Sequence, residues 1–292
     1  MKTFRMCYCI LMMALVFATT QKTYAWSQHV HTKIGQHTLL LLPPQQQEYY
    51  SSLASHLPAK GLGFSDMSAW VDSIRKKTVY DVYSGKVPRA LQAMAHKPTA
   101  RWHYENAFYR PGDKAASCRV RNRGELEPAL IQLSKALTEK LTRRQEAITV
   151  ALFMHLVEDA HQPLHSISKV EEDCSHDRGG NLTCIQKHAR SCILNLHQVW
   201  DRGFGILQDQ GFWRGLSADD KLPLPITTEI SLILLEGQRL AKNVYAAQPN
   251  RALTPKYIAF GKMEVSGRLR KAVRRLHYYL GEHYSLNSSS QE

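Results

Sequence analysis

Apolar residues recur at helical spacing along most of the chain, and strand-like alternation is rare. Leu126, Leu130, Leu133, Leu137 and Leu141 follow one another at intervals of three or four and predict a helix over residues 125–141. Thr142 and Gln145 then form a capping-box pattern, in which each side chain can satisfy a free N–H at a helix start. The second helix runs to residue 162, where Pro163 stops it. An apolar-rich stretch over 30–42 ends at Pro43-Pro44, and 67–75 reads as a short helix. Residues 228–247 and 255–284 give two more. The last opens with Thr254 as N-cap and Pro255 at the first helical position. Segments 77–124 and 166–194 read as long irregular loops. The expected class is all-α.

The first 25 residues stand apart. Lys2 and Arg5 precede an apolar run over 10–18, and Thr23-Tyr24-Ala25 forms a small-x-small cleavage signal. This predicts a signal peptide cut before Trp26. The run is too short for the ~20 residues that span a bilayer, and no other segment is long and apolar enough. The expectation is therefore a secreted or periplasmic protein, not inserted in a membrane, whose residues 26–292 form one domain. The formal charge is +13, of which Lys2, Arg5 and Lys22 contribute three, leaving +10 after cleavage. Such a protein attracts polyanions, either nucleic acid or anionic lipid, and charge does not choose between them.

Cys7 and Cys9 leave with the leader, and Cys118, Cys174, Cys184 and Cys192 remain. An even number in an oxidising compartment suggests disulfides, with three possible pairings. Cys174, Cys184 and Cys192 share one polar loop, so at least one local bridge is expected there. A zinc–thiolate cluster is the alternative, without Cys-x-x-Cys spacing to support it.

Among fourteen histidines, spacing selects two segments. His155-Leu-Val-Glu-Asp159 and His197-Gln-Val-Trp-Asp201 each set His and Asp at i and i+4, on one helix face. So placed, an imidazole nitrogen and a carboxylate oxygen can converge on one Zn²⁺ at about 2.0–2.2 Å. A surface ion pair is the plainer reading of either alone. Around His155, however, the flank Ile148, Ala151, Leu152 is apolar, so His155 and Asp159 should point inward, where a carboxylate needs a partner or a metal. Gln162-Pro-Leu-His165 adds a histidine just past the helix end.

These segments closely resemble the single-strand-specific zinc nucleases of fungi and plants, the S-one/P-one nuclease family. The resemblance extends in order along nearly all of residues 26–292. Trp26 falls at the expected new N-terminus, with His31 five positions on. Ala69-Trp70-Val71-Asp72, Trp102-His103-Tyr104, Asp177-Arg-Gly-Gly-Asn181 and Asn195-Leu-His197 match further family segments. The resemblance implies three zinc ions. Asp72, His103, His155 and Asp159 would hold one; His165, His197 and Asp201 a second. The α-amino nitrogen and carbonyl of Trp26, with His31 and Asp159, would hold the third, Asp159 bridging the first and third. It also implies catalytic roles for Asp159 and Arg75, the latter through a contact to phosphate, against Arg75 as a solvated member of the run Arg75-Lys76-Lys77. Tyr104 would stack on a base, or else be a core aromatic. Asn181 would touch substrate, although Asn181-Leu-Thr183 is also a glycosylation sequon in a eukaryotic host. The implied activity is hydrolysis of single-stranded RNA and DNA to 5′-phosphate products, with 3′-nucleotidase activity, by a monomer.

Asn106 stands where fungal members often carry Asp. Cys118 stands alone where those members carry a close pair, and the loop 174–192 has no clear counterpart. One competing reading is a zinc-dependent phospholipase C, also helical and also starting at Trp; those enzymes typically carry Glu at the position of Asp201. A non-catalytic zinc- or polyanion-binding protein is the other, and it has no need of a bridging Asp159.

Overall fold

The computed structural model describes residues 26–218, 227–247 and 249–288. The leader expected over residues 1–25 lies outside them. The protein is all-α, with only small sheets among the described residues.

Helix α1 (Gln28–Leu41) is followed at once by α2 (Pro44–Ala54), where the sequence shows only a stop. Pro44 occupies the first turn of α2, where a missing N–H costs nothing. Helix α3 (Met67–Val71) passes into a 3₁₀ turn over Asp72–Ile74. Helix α4 (Leu126–Ala136) ends before the expected 141. Next come α5 (Arg143–Ala160) and the short α6 (Leu196–Asp201). Helix α7 (Ile230–Gln238) covers only part of the helix expected over 228–247; the chain turns at 239–240, and a separate helical turn spans Ala241–Val244. Helix α8 (Pro255–Ser288) runs beyond the expected 284.

Helix α5 is the axis of the fold. Helices α1, α2, α3, α4, α7 and α8 all pack against it. Its residues from Glu146 to Ala160 are all buried, as expected for a helix that is largely apolar all round. Thr142 accepts from the Gln145 N–H and the Gln145 side chain returns the bond, so the predicted capping box forms. The far end is clamped by α8. Arg268 donates to the carbonyls of Ala160 (3.2 Å) and His161, satisfying acceptors that the helix end leaves open. Arg275 donates to His161 Nε2 (2.6 Å), to the Thr227 carbonyl (2.9 Å) and to Glu236 (2.6 Å).

The segments expected to be irregular contain the sheets. Strand β1 (Ala107–Tyr109) pairs in parallel with β2 (Ile167–Lys169). Beside this pair, Glu105 N–H donates to the His165 carbonyl at 2.6 Å and Ala107 N–H to that of Ser166 at 3.0 Å. Strands β3 (Cys184–His188) and β4 (Ser191–Asn195) form a hairpin bridged by Cys184–Cys192, the local disulfide expected in that loop. Cys118–Cys174 ties the two long loops together. Two disulfides fit an oxidising compartment. No helix of the described residues is long and apolar enough to cross a membrane.

Candidate metal centre

The last turns of α5 point His155 and Asp159 into the interior, both fully buried. His155 Nδ1 donates to the Ser68 carbonyl (2.9 Å), which turns its Nε2 toward the other groups of the site. That Nε2 lies 3.2 Å from Asp159 Oδ2, 2.9 Å from His103 Nδ1 and 3.9 Å from Asp72 Oδ1. The end of α3 supplies Asp72. Neither carboxylate oxygen of this buried residue has a hydrogen-bond partner, and burial pushes its pKa up.

From α1, His31 stacks on His155 with ring centroids 4.2 Å apart. Its Nδ1 pairs with Glu158, and its buried Nε2 has no hydrogen-bond partner and faces Asp159 Oδ1 at 3.7 Å. Glu158 is absent from the expected ligand set, yet its carboxylate holds the His31 ring in place, as carboxylates do behind metal-bound histidines. The signal was its position next to Asp159 on a helix that buries every face. Trp26, also fully buried, donates its indole N–H to the Glu158 carbonyl at 3.0 Å. The first described residue is thereby fixed beside this group.

The third group lies past the helix end. Pro163 stops α5 and Gln162 caps the next turn by accepting from Leu164 N–H. The other end of the Gln162 amide donates to Asp201 Oδ1 at 2.8 Å, a positioning contact that the sequence reading did not foresee. His165 Nδ1 donates to the His103 carbonyl, and His197 Nδ1 to that of Gly179 at 2.7 Å. Gly179 and Gly180 have φ of 61° and 78°, and a Cβ on Gly179 would fall on the Leu164 carbonyl, so this approach needs glycine. On α6, capped by Asn195, His197 Nε2 lies 3.6 Å from Asp201 Oδ2. Because a carbonyl only accepts, both rings carry the proton on Nδ1. Their Nε2 lone pairs then face one another at 3.2 Å.

Asp159 is common to several of these contacts. Besides His31 and His155, its carboxylate meets His103 Nδ1 at 3.1 Å and His165 Nδ1 at 3.7 Å. Burial would raise its pKa, but His155 and His165 beside it and the bonds from His103 and His155 outweigh this and hold it well below the usual carboxylate range. Burial lowers His31 and His165, and it takes His103 and His197 down to about 3; neighbouring histidines add to the effect. His155 is also pulled down by burial, but Asp159 and Asp72 outweigh it and leave it raised. Burial pushes Asp201 well up. The lowered histidines are neutral at pH 7, the form that ligates a metal.

The donor set fits metal ions. Ligand atoms in three groups lie within 4.8 Å of one another: His31, His155, Glu158; Asp72, His103, His155; and His165, His197, Asp201. Neutral imidazoles and carboxylates suit zinc. Facing lone pairs and unpartnered buried carboxylate oxygens are costly unless a cation lies between them.

Above the centre opens a cleft of ≈ 570 Å³, lined by His103, His165 and His197 together with Arg75, Tyr104 and Asn181. Arg75 lies 3.7 Å from Asp72 Oδ1. Tyr104 is half-buried. Asn181 donates its Nδ2 to the Arg178 carbonyl at 2.9 Å, and its Oδ1 is buried without a partner. Asn106 also lines the cleft and accepts from Ser168 Oγ at 2.8 Å.

A family model described as S1/P1 Nuclease matches residues 26–285. No curated protein matches the chain.

Proposed function

The chain belongs to the S1/P1 nuclease family, and on that premise we propose that it is an exported, monomeric, zinc-dependent endonuclease. It hydrolyses phosphodiester bonds of single-stranded RNA and DNA, leaves 5′-phosphate and 3′-hydroxyl ends, and removes 3′-phosphate from mononucleotides. The support that weighs most is the pair of Nε2 lone pairs on His165 and His197, 3.2 Å apart at the floor of an arginine-lined cleft.

Asp72, His103, His155 and Asp159 would hold one zinc, and His165, His197 and Asp201 another. His31, Asp159 and the amino nitrogen and carbonyl of Trp26 would hold a third once residues 1–25 are removed. Zinc bound there supplies Lewis acidity and lowers the pKa of a water molecule near phosphorus. The chain's own groups do the rest. Arg75 takes a phosphate oxygen through its planar guanidinium. Tyr104 stacks on a base, which requires that base to be out of a duplex and so selects single strands. Asn181 offers its unpartnered Oδ1 to substrate. Glu158 and Gln162 keep the His31 ring and the Asp201 carboxylate in orientation.

Metal content of the protein starting at Trp26, measured beside digestion of single-stranded RNA, single-stranded DNA and phosphatidylcholine, tests the reading. About three zinc ions with cleavage of both nucleic acids and 5′-phosphate ends is the expected result. Predominant 3′-phosphate ends, or cleavage of the lipid alone, would overturn it.

A further inference from the structure

The cleft carries more positive charge than one scissile phosphate needs. Arg75, Arg119, Arg121, Arg123 and Arg178 all line it, and no carboxylate does among the described residues. Arg119, Arg121, Arg123 and Arg178 are exposed, and the first three come from an irregular stretch with no helix or strand of its own. Like charges gathered along a wall that presents no carboxylate repel one another, and a polyanion relieves that repulsion.

The stretch is nevertheless fastened. At its start, Cys118 is bonded to Cys174, itself part of the cleft wall. In its middle, the Asn122 side chain donates to Glu105 and accepts from Gly124 N–H at 2.8 Å. At its end, Glu125 N–H donates to the Arg101 carbonyl (2.8 Å) and Leu126 N–H to that of Tyr104 (3.2 Å). A Cβ on Gly124 would fall on the Tyr104 carbonyl, so the two backbones touch. The arginines therefore ride on the segment that carries His103 and Tyr104. Arg178 comes from the other long loop, one residue before Gly179, whose carbonyl holds His197. Both stretches are tied to loops of the metal centre.

We propose that Arg119, Arg121, Arg123 and Arg178 form a phosphate track that grips a polynucleotide backbone beyond the bond being cut and makes polymers better substrates than dinucleotides. This rests on the nuclease reading of the cleft. Phosphate contacts of this kind set register and affinity without reading sequence. A polynucleotide suits the site better than a lipid surface, because the charges converge into a concave wall beside Tyr104 instead of spreading over a face.

The test compares the metal-loaded protein with a triple variant, Arg119→Gln, Arg121→Gln, Arg123→Gln, between about 50 and 200 mM salt. Each lost phosphate contact should flatten the salt dependence by about 0.7 in log–log slope, so the triple should lose about 2. Its kcat/KM on a single strand of about 20 nucleotides should fall tenfold or more at the higher salt, with a dinucleotide changed less than about twofold. The triple lysine variant should keep the slope. Equal losses on oligonucleotide and dinucleotide, or an unchanged slope, overturn the track. Anisotropy with a nuclease-resistant phosphorothioate oligonucleotide separates binding from catalysis. Wild-type protein that cleaves no nucleic acid sinks the nuclease reading, whereas salt-steep binding lost in the triple upholds the track. Binding to phosphatidylserine vesicles that needs these arginines, with oligonucleotide binding indifferent to them, overturns it in favour of lipid.

Discussion

His165 Nε2 and His197 Nε2 stand 3.2 Å apart, each ring donating its Nδ1–H to a carbonyl. Two lone pairs at that separation repel, so metal should stabilise the fold strongly. A ligand at 1,000 times its Kd adds about 4 kcal/mol, which is about 10 °C in Tm for a chain of this size. Thermal melts with EDTA should therefore fall by about that much, and zinc, not calcium, should restore them. Superimposable melts with and without EDTA would argue against any metal at this pair.

Asp159 reaches four histidines, whereas Asp201 reaches His197 and the Gln162 amide. Asp159→Asn should therefore lose more zinc than Asp201→Asn and should not recover rate when zinc is added. Its phosphodiesterase rate should fall by about a hundredfold or more. Only the order is expected to be robust, since residues of one unit do not act additively. Zinc stoichiometry and rate at saturating metal decide it, and an Asp201→Asn protein stripped of all metal contradicts the shared role of Asp159.

What the sequence made legible was the local helical frame of the site. Thr142, Gln145 and Pro163 mark both ends of α5. The i, i+4 spacing gives His155 with Asp159 and His197 with Asp201, because helical periodicity is a local property. The small strands were illegible for the opposite reason. Strands β1 and β2 have three residues each and exist by pairing across 60 positions, too short to show alternation. Strands β3 and β4 turn at Ala189-Arg190, without the Asn-Gly or Asp-Gly signal of tight hairpins, although Ala189 takes a positive φ of 51°. Helix α2 is mostly polar, so only the proline at its start marked it. Glu158 escaped because its partner, His31, lies 127 positions away.

Trp26 is anchored through its indole N–H to the Glu158 carbonyl. Leaving one extra residue before Trp26 turns the terminal amine into an amide, which ligates poorly. The extended protein should keep its fold, lose about one zinc and lose most of its activity. Full activity and full zinc content in the extended form would remove Trp26 from the ligand set.

Arg275 is buried, and it satisfies His161 Nε2, the Thr227 carbonyl and Glu236 together. Arg275→Met removes one partner of a largely buried pair and should destabilise by about 3 kcal/mol. Urea midpoints measure it, and a loss below about 1 kcal/mol would mean that α8 does not clamp the end of α5.

His161 should make stability fall in acid. Burial, and then the charges of Arg275 and Arg268, hold its pKa well below the usual value. The unfolded chain takes up a proton below about pH 6.5 while the folded ring stays neutral. The stabilising contribution is thus complete above that pH and is lost as pH falls towards the folded value. A His161→Gln variant should show a shallower decline between about pH 6.5 and 5 in denaturant titrations; an unchanged slope would assign the acid sensitivity to other groups.

The parallel pairing of β1 with β2 and the contact of Trp26 with Glu158 join parts of the chain made far apart in time. A chain still emerging, complete only as far as Asp159, lacks His165, His197 and Asp201. Contacts of such long sequence separation also form late and slowly. The three candidate ligand groups therefore come together only after the chain is made past Asp201, and the centre is among the last parts of the protein to be assembled.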